Sequence, residues 1–362
     1  MSGVPLRIAV DLVFFTGKKG GTESYARHLF ANLADHDDLR FIGLGNRELA
    51  ANPPSWFPGE VVPLRVSGEN RAAWAVTEAL VVGPRARGLR ADVLHCPSNF
   101  GPAVRLLPTV VTVHDLLAAR HPEWVPGGRA RGVQVLSRAT ARAADRIITI
   151  SENSARDIRE LLGRTEVDVI PLGVDPVDPL QRHEPLARPF VLASGNRMPH
   201  KNFPRLVEAW AQIPAAERPK LVITGSHGDD PLRPLVKQLG LTDDVELLGW
   251  VTDEELERLY DTASAYAFPT LFEGFGLPVL EAMARGCPVV GSDIPIIREV
   301  GGDAMRFFDP HDPASIARTV REVVADPGTL ADAGRKRAAL FTWQRTAEAT
   351  ADVYRRLAES RR

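Results

Sequence analysis

Cysteine is nearly missing. The 362-residue chain has two, Cys96 and Cys287, too few for a disulfide framework or a cysteine-rich zinc module. Each stands in an otherwise apolar segment, the usual setting of a buried thiol. Long apolar runs are missing as well, and none approaches the roughly 18 residues of a membrane span. The first apolar stretch, Leu6–Phe15, is broken by Arg7 and Asp11 and meets no small-residue cleavage site. It reads as a strand rather than a secretion signal, so the expected compartment is the cytoplasm. An excess of one charge is also absent. The 44 basic and 46 acidic residues give a net charge of -2, which excludes a general nucleic-acid binder. Neither a 20–50-residue repeat nor a low-complexity tract is visible.

What is present fits a soluble two-domain α/β protein, since 44% of residues are apolar and 25% charged. Short apolar runs at Ile8–Leu12, Phe41–Leu44, Val93–His95, Val110–Val113, Ile147–Ile150 and Val167–Pro171 read as strands. Between the first two, Tyr25, Leu29 and Leu33 recur at helical spacing within Thr22–Ala34. Continuous apolar strands alternating with helices predict parallel sheets covered on both faces. Five prolines over 171–189 then mark a linker. The alternation restarts with strands at Phe190–Ser194, Lys220–Thr224, Val245–Leu248, Ala265–Phe268 and Pro288–Gly291, and helices at Phe203–Ile213, Glu254–Thr262 and Pro278–Arg285. The expected organisation is a first domain over 1–175, a linker over 176–189 and a second domain over 190–342. A closing amphipathic helix over 343–362 carries Trp343, Ala347, Val353, Tyr354 and Leu357.

Ligands of open parallel sheets bind beyond the carboxyl ends of the strands, and four constellations stand there. Gly17-Lys18-Lys19-Gly20-Gly21 precedes the first helix, where glycines and a helix N-terminus suit an anion; the plain alternative is a flexible loop. His114-Asp115 ends a strand, either facing a ligand or bonded to backbone. Asn196-Arg197-Met198-Pro199-His200-Lys201-Asn202 sets two cations after a strand, either for a diphosphate or as a solvated loop. The longest string is Phe268–Val290. Within it Glu273 lies in a loop, Phe275-Gly276-Leu277 offers backbone N–H groups, and Pro278 opens a helix whose first turn holds Glu281. A dipole-complementing acid would explain Glu281 alone but not the whole string.

The spacing of Glu273 and Glu281 resembles the Glu-x7-Glu motif of the family 4 retaining glycosyltransferases. The likeness extends over Gly20-Gly21, Thr112–Asp115, Ile150–Ser154, Ile170–Asp175, His200–Asn202, Gly249–Val251 and Ser292–Ala304. It implies the GT-B fold: two doubly wound Rossmann-like domains facing a central cleft, acceptor side first and donor side second, with the last helix crossing back to the first domain. It also implies roles. Gly20 and Gly21 approach the donor diphosphate, His114 contacts the transferred sugar, and Arg197 and Lys201 neutralise the leaving group. Glu273 sits beside the hexose, which Phe275, Gly276 and Leu277 hold through backbone N–H groups. Glu281 binds the ribose, and Trp250 and Val251 border the base. Many members place an arginine five residues before the lysine; here Asn196 stands at that place, and Arg197 is four before Lys201.

The implied reaction moves a hexose from a GDP- or UDP-linked donor to a hydroxyl-bearing acceptor, a surface glycan, glycolipid or natural product. It would proceed by front-face attack with retained configuration and with neither metal nor other cofactor, because fixed cations and helix N-termini stabilise the leaving diphosphate. Closure of the domains would exclude water. A nucleotide-sugar epimerase of the same fold and a noncatalytic subunit are the alternatives. Asp35-His36-Asp37-Asp38 reads as a polar turn rather than a metal motif. Trp56, Phe57 and Trp74 read as packing rather than acceptor contacts. Arg131, Arg138 and Arg142 share one helical face within Gly128–Arg146, opposite Leu136, Ala139 and Ala143. A solvated face is the plain reading, and a peripheral contact with anionic lipid at the inner membrane face is the other.

Overall fold

The computed structural model describes residues 4–17, 20–177 and 189–360. Lys18, Lys19 and residues 178–188 of the expected linker lie outside the described residues. The chain divides into two compact units, Met1–Gly173 with Trp343–Arg362, and Val174–Thr342.

In the first unit β1 (Leu6–Leu12), β2 (Leu39–Gly45), β3 (Gly59–Pro63), β4 (Val93–Cys96), β5 (Thr109–Val113), β6 (Arg146–Thr149) and β7 (Val167–Val169) form one parallel sheet, ordered β3-β2-β1-β4-β5-β6-β7. In the second, β8 (Phe190–Ser194), β9 (Lys220–Ser226), β10 (Val245–Gly249), β11 (Ala265–Phe268), β12 (Val289–Ser292) and β13 (Arg306–Phe308) form another, ordered β10-β9-β8-β11-β12-β13. Both have the doubly wound pattern. The reason is visible in β1 and β8, where residues such as Ile8, Ala9, Val10, Val191, Leu192 and Ala193 are fully buried. Helices must then cover both faces of each sheet.

Two strands were not expected from the sequence. The edge strand β3 runs Gly-Glu-Val-Val-Pro and buries none of its residues fully, so it carries no apolar run to read. β13 is only three residues long. Helix ends follow local chemistry. Ser151 accepts a hydrogen bond from the Ser154 N–H to open Glu152–Leu162, which Gly163 ends at φ 66°. Thr252 and Glu255 form a capping box on Asp253–Thr262.

The helix Trp343–Glu359, remote in sequence, packs within the first unit. Its Trp343 ring stacks on His28 with centroids 4.9 Å apart, and Thr346 Oγ donates to the Pro171 carbonyl at 2.8 Å. Tyr354 is fully buried, with its hydroxyl 2.6 Å from His95 Nδ1, while His95 Nε2 lies 2.8 Å from Thr112 Oγ. Burial pushes the His95 pKa down to about 3, so this ring stays neutral at physiological pH. Tyr354→Phe strips a partner from a buried ring nitrogen, and the expected loss is about 1–3 kcal/mol. Urea unfolding should show a lower midpoint at unchanged slope; an unmoved midpoint would remove this bond from the account.

Candidate functional site

The second sheet changes winding direction between β8 and β11, and the loops leaving those two strands hold most of the expected site. After β8 the chain passes Gly195–Met198 and makes the single turn Pro199–Lys201. The Asn202 amide then donates to the carbonyls of Pro269 at 3.0 Å and Pro310 at 2.8 Å. Leu271 N–H donates to the His200 carbonyl at 2.7 Å. These bonds tie the two loops together. They place Lys201 Nζ 2.7 Å from Glu273 Oε1, and Thr270 Oγ 2.8 Å from the same oxygen. The ammonium also lies 5.4 Å from the Phe268 ring centroid. Lys201 and Glu273, 72 residues apart, thus form one half-buried ion pair.

Downstream, Gly276 adopts φ 101°, and a Cβ there would meet Ile297 Cδ1 at 3.0 Å. This left-handed residue caps the helix Leu277–Ala284. The helix starts at Leu277, one residue earlier than expected. Glu281 consequently sits in the second turn, not the first, and the helix dipole does not explain it. Its carboxylate instead accepts from the Tyr260 hydroxyl at 3.2 Å. Tyr260 and Tyr266 both approach Ser194 Oγ at the end of β8, at 3.4 and 2.8 Å. Phe275 is buried against Phe341.

Arg197 departs from expectation. Its guanidinium pairs with Asp230 through Nε at 3.1 Å and Nη2 at 2.6 Å, while Nη1 donates to the carbonyls of Gly195 at 2.7 Å and Thr224 at 3.0 Å. It also covers the Phe203 ring at 4.9 Å. Side-chain exposure is 8% for Arg197 and 5% for Asp230. Every guanidinium nitrogen is engaged by the protein, so Arg197 builds the loop and offers no donor to a diphosphate. Asn196 is exposed and accepts from Met198 N–H at 3.2 Å.

At the neighbouring strand ends Trp250 is 60% exposed and stacks on His227, with centroids 4.8 Å apart and planes 11° from parallel. Val251 beside it is half-buried. Sequence reasoning did not single out His227; its place one residue past β9 was the signal.

In the first unit Gly20 caps the helix Gly21–Asn32 without a side-chain bond, and a Cβ on Gly20 or Gly21 would meet nothing within 4 Å. The first-turn Glu23 is buried and accepts from Thr16 N–H and Oγ. His114 follows β5. Its Nε2 lies 2.8 Å from the Pro97 carbonyl, which can only accept, so Nε2 carries the hydrogen. Its backbone N–H donates to Asn99 Oδ1 at 2.6 Å. The Tyr25 ring meets the imidazole edge-on at 4.9 Å, which links the glycine-capped helix to His114. Burial pushes the His114 pKa down to about 4, opposed by its bond to Pro97; the ring is a neutral acceptor at Nδ1. Asp115 accepts from Leu117 N–H at 2.9 Å and shapes the turn. Tyr25 and Asn99 were not expected here; Asn99 sits at φ 68°, a backbone state invisible in sequence.

Among the described residues no three His, Cys, Asp or Glu side chains group as a metal ion requires. Asp38 of the polar turn Asp35-His36-Asp37-Asp38 pairs with Arg355 at 2.8 Å. No helix among the described residues is long and apolar enough to cross a membrane. Arg131, Arg138 and Arg142 are exposed on the helix Ala130–Ala143.

Two doubly wound domains, the second with the Lys201–Glu273 pair at its strand switch point, have the architecture of GT-B glycosyltransferases. Residues 19–178 match the family described as Glycosyltransferase Family 4, and residues 178–339 match Glycosyl transferases group 1. O-antigen chain mannosyltransferase B of Escherichia coli is 30% identical over 312 residues, 81% of this chain and 79% of that one. Among solved structures, sucrose-phosphate synthase from Thermosynechococcus elongatus superposes with a TM-score of 0.79 at 23% identity, covering 98% of this chain and 100% of that one. Anabaena HepE in complex with UDP and glucose gives 0.73 at 18% identity, covering 96% and 99%. The chain belongs to glycosyltransferase family 4.

Because Arg197 and Asp230 are buried together, Arg197→Ala should cost about 3–5 kcal/mol, the penalty of stranding a buried carboxylate. Chemical denaturation reads this directly. A loss below about 1 kcal/mol, the scale of an exposed ion pair, would return Arg197 to a ligand-binding role.

Proposed function

We propose that this glycosyltransferase moves a hexose, with retention of configuration, from a GDP- or UDP-linked donor to a hydroxyl of a glycan, glycolipid or natural product. The observation that carries the reading is the Lys201–Glu273 pair at the β8/β11 switch point. The ammonium has three N–H directions and Glu273 takes one. The others suit the oxygens of a leaving diphosphate, whose growing charge a preoriented cation stabilises. In this reading no metal ion is required. Glu273 sits beside the hexose, which the backbone of Phe275, Gly276 and Leu277 holds, while Glu281 takes the ribose hydroxyls. The exposed Trp250–His227 stack offers the base a flat apolar surface, with Val251 bordering it. Asn196 makes a neutral contact in place of the usual arginine.

Residues 190–342 form the donor side, and residues 1–175 the acceptor side. There Gly20 and Gly21 admit the diphosphate and His114 accepts from a sugar hydroxyl. The relative from Escherichia coli is a mannosyltransferase and the Anabaena protein is bound to UDP and glucose; both support a hexose and leave the base open. A nucleotide-sugar epimerase would form product from the donor alone, whereas transfer needs a second substrate. The exposed arginine face, with Val135 among them at 66% exposure, fits a peripheral contact with anionic lipid at the inner membrane face, where each nearby Arg contributes about 1 kcal/mol.

Thermal shift with UDP, GDP, ADP, dTDP and NAD, with and without magnesium, tests the donor side. One nucleoside diphosphate should stabilise the protein independently of magnesium, by about 2.7 kcal/mol at a hundredfold excess over its Kd. Lys201→Ala should weaken that diphosphate ~10–100-fold, the value of a charge-assisted bond of about 1.5–3 kcal/mol. Normal binding by the variant would sink the assignment, and a response to NAD alone would point to an oxidoreductase. For the arginine face, co-sedimentation with vesicles containing phosphatidylglycerol should exceed that with phosphatidylcholine alone and fall when Arg131, Arg138 and Arg142 are changed to Glu. Equal recovery in both leaves that face solvated.

A further inference from the structure

Behind Glu281, at the β8/β11 switch point, stand three linked hydroxyls. Ser194 ends β8, Tyr266 lies on β11, and Tyr260 belongs to the helix Asp253–Thr262. All three residues are buried, Tyr266 completely. Tyr266 Oη lies 2.8 Å from Ser194 Oγ, Tyr260 Oη lies 3.4 Å from the same oxygen, and the Tyr260 hydroxyl donates to Glu281 Oε2 at 3.2 Å. A hydroxyl has a single hydrogen, and an ionised carboxylate can only accept. The Tyr260 hydrogen is therefore committed to Glu281. Tyr260 must then accept from Ser194, and Ser194, its own hydrogen engaged, must accept from Tyr266. Donation runs one way, from Tyr266 through Ser194 and Tyr260 to Glu281. Burial, with the neighbouring Tyr266 and Glu281, holds the Tyr260 hydroxyl well above the usual phenol range, and burial raises Tyr266 too. Both phenols keep their hydrogens at physiological pH.

We propose that Tyr260 is a positioning residue for Glu281, and that the hydroxyl relay behind it sets how strictly the site requires a ribose in its nucleotide. Aligned hydrogen bonds polarise one another in a low-dielectric interior. The relay therefore delivers a strengthened donor to one carboxylate oxygen. That bond favours the charged form of the carboxyl and fixes its plane. Glu281 stands beyond the first turn of its own helix, where the dipole would have little hold on it; the relay supplies the hold. A carboxylate offers about four acceptor directions, and Tyr260 takes one of them. The orientation it imposes decides where the others point. A ribose hydroxyl can meet one of those directions, whereas a nucleoside without ribose hydroxyls gains nothing from the relay.

The rings hold this arrangement without the hydroxyls. Tyr260 and Tyr266 meet edge-on with centroids 5.2 Å apart, and Tyr266 stacks on Phe268, whose ring centroid is 5.4 Å from Lys201 Nζ. Loss of the Tyr260 hydroxyl alone thus removes the donor and leaves the packing. The ribose requirement rests on the reading of Glu281 as the ribose ligand; the relay's hold on the carboxylate does not.

The test uses the full-length chain and two readouts. The first is the Glu281 carboxyl carbon resonance, assigned by its loss in Glu281→Ala. Removing a donor to the charged form lets a carboxyl keep its proton to higher pH, so the titration midpoint should rise in Tyr260→Phe. Ser194→Ala, which cuts the relay one step back, should move it the same way by less. The second is calorimetric affinity for UDP and GDP against their 2′,3′-dideoxy counterparts. The wild type should favour the ribose form by ~10-fold or more, the value of a hydrogen bond to a charged group. In Tyr260→Phe the ribose form should weaken about 3–10-fold, the value of one ordinary hydrogen bond, while the dideoxy form keeps its affinity. General loosening of the fold would weaken both forms alike. If Tyr260→Phe does not fold, Ser194→Ala carries both readouts. An unmoved carboxyl midpoint would overturn the relay. A moved midpoint with an unchanged ribose preference, where Glu281→Ala loses that preference, would overturn the positioning role. A preference that survives in Glu281→Ala would overturn the ribose reading and leave the relay to the midpoint.

Discussion

Burial of parallel strands on both faces governs the rest of this structure. A strand such as β8, with Val191, Leu192 and Ala193 sealed from water, has no room for an unpaired polar side chain. Polar chemistry is therefore displaced to the loops at the strand ends, and the carboxyl ends receive it because helices begin there with unsatisfied N–H groups. Lys201, Glu273, Trp250, His227 and His114 all stand within a few residues of a strand terminus. Lys201 and Glu273 reach their places through hydrogen bonds between two loops rather than through a shared element, the Leu271 N–H to His200 carbonyl and the Asn202 amide to Pro269 carbonyl bonds among them.

The same constraint explains what could be read in advance. Doubly wound domains were legible because buried strands write uninterrupted apolar runs. β3 and β13 were not, since an edge strand with exposed residues or a strand of three writes none. Lys201 and Glu273 stood out as candidates because each lies in a loop that leaves the carboxyl end of a strand. Their pairing did not, because 72 residues separate them and only the sheet order makes them neighbours. The start of the helix Leu277–Ala284 shifted by one residue because Gly276 takes a left-handed conformation that sequence permits without requiring. That single step moved Glu281 out of the reach of the helix dipole.

Arg197 and Lys201 show how cations in one loop divide the work. A guanidinium has five donors in a rigid fork, and here the fork meets Asp230 and two carbonyls. A satisfied buried arginine stiffens a loop and has little left to offer a ligand. An ammonium with one carboxylate partner keeps directions in reserve, and its partner holds it in place at low entropic cost. Charge counting treats the two residues alike; donor counting separates them. Asp230, 33 residues from Arg197, was the missing information, and no local spacing contains it.

Titration in the first unit is governed by opposing tendencies. Burial lowers the basicity of His95 and His114, to about 3 and about 4, so folding favours the neutral rings. Their contribution is present above the unfolded value near 6.5 and is lost as pH falls toward the folded values. Burial acts on Asp11 with the opposite sign, raising it to about 7, and that contribution is lost as pH rises. Between about 4 and 6.5 the unfolded chain gains up to two protons on these histidines and the folded chain keeps one on Asp11, so the histidines dominate and their joint contribution climbs with pH. Above about 6.5 the histidine contribution is flat, and of these three groups only Asp11 still changes, so their joint contribution turns downward. One cause, exclusion of water from the ends of β1, β4 and β5, therefore places the optimum of these groups near neutrality.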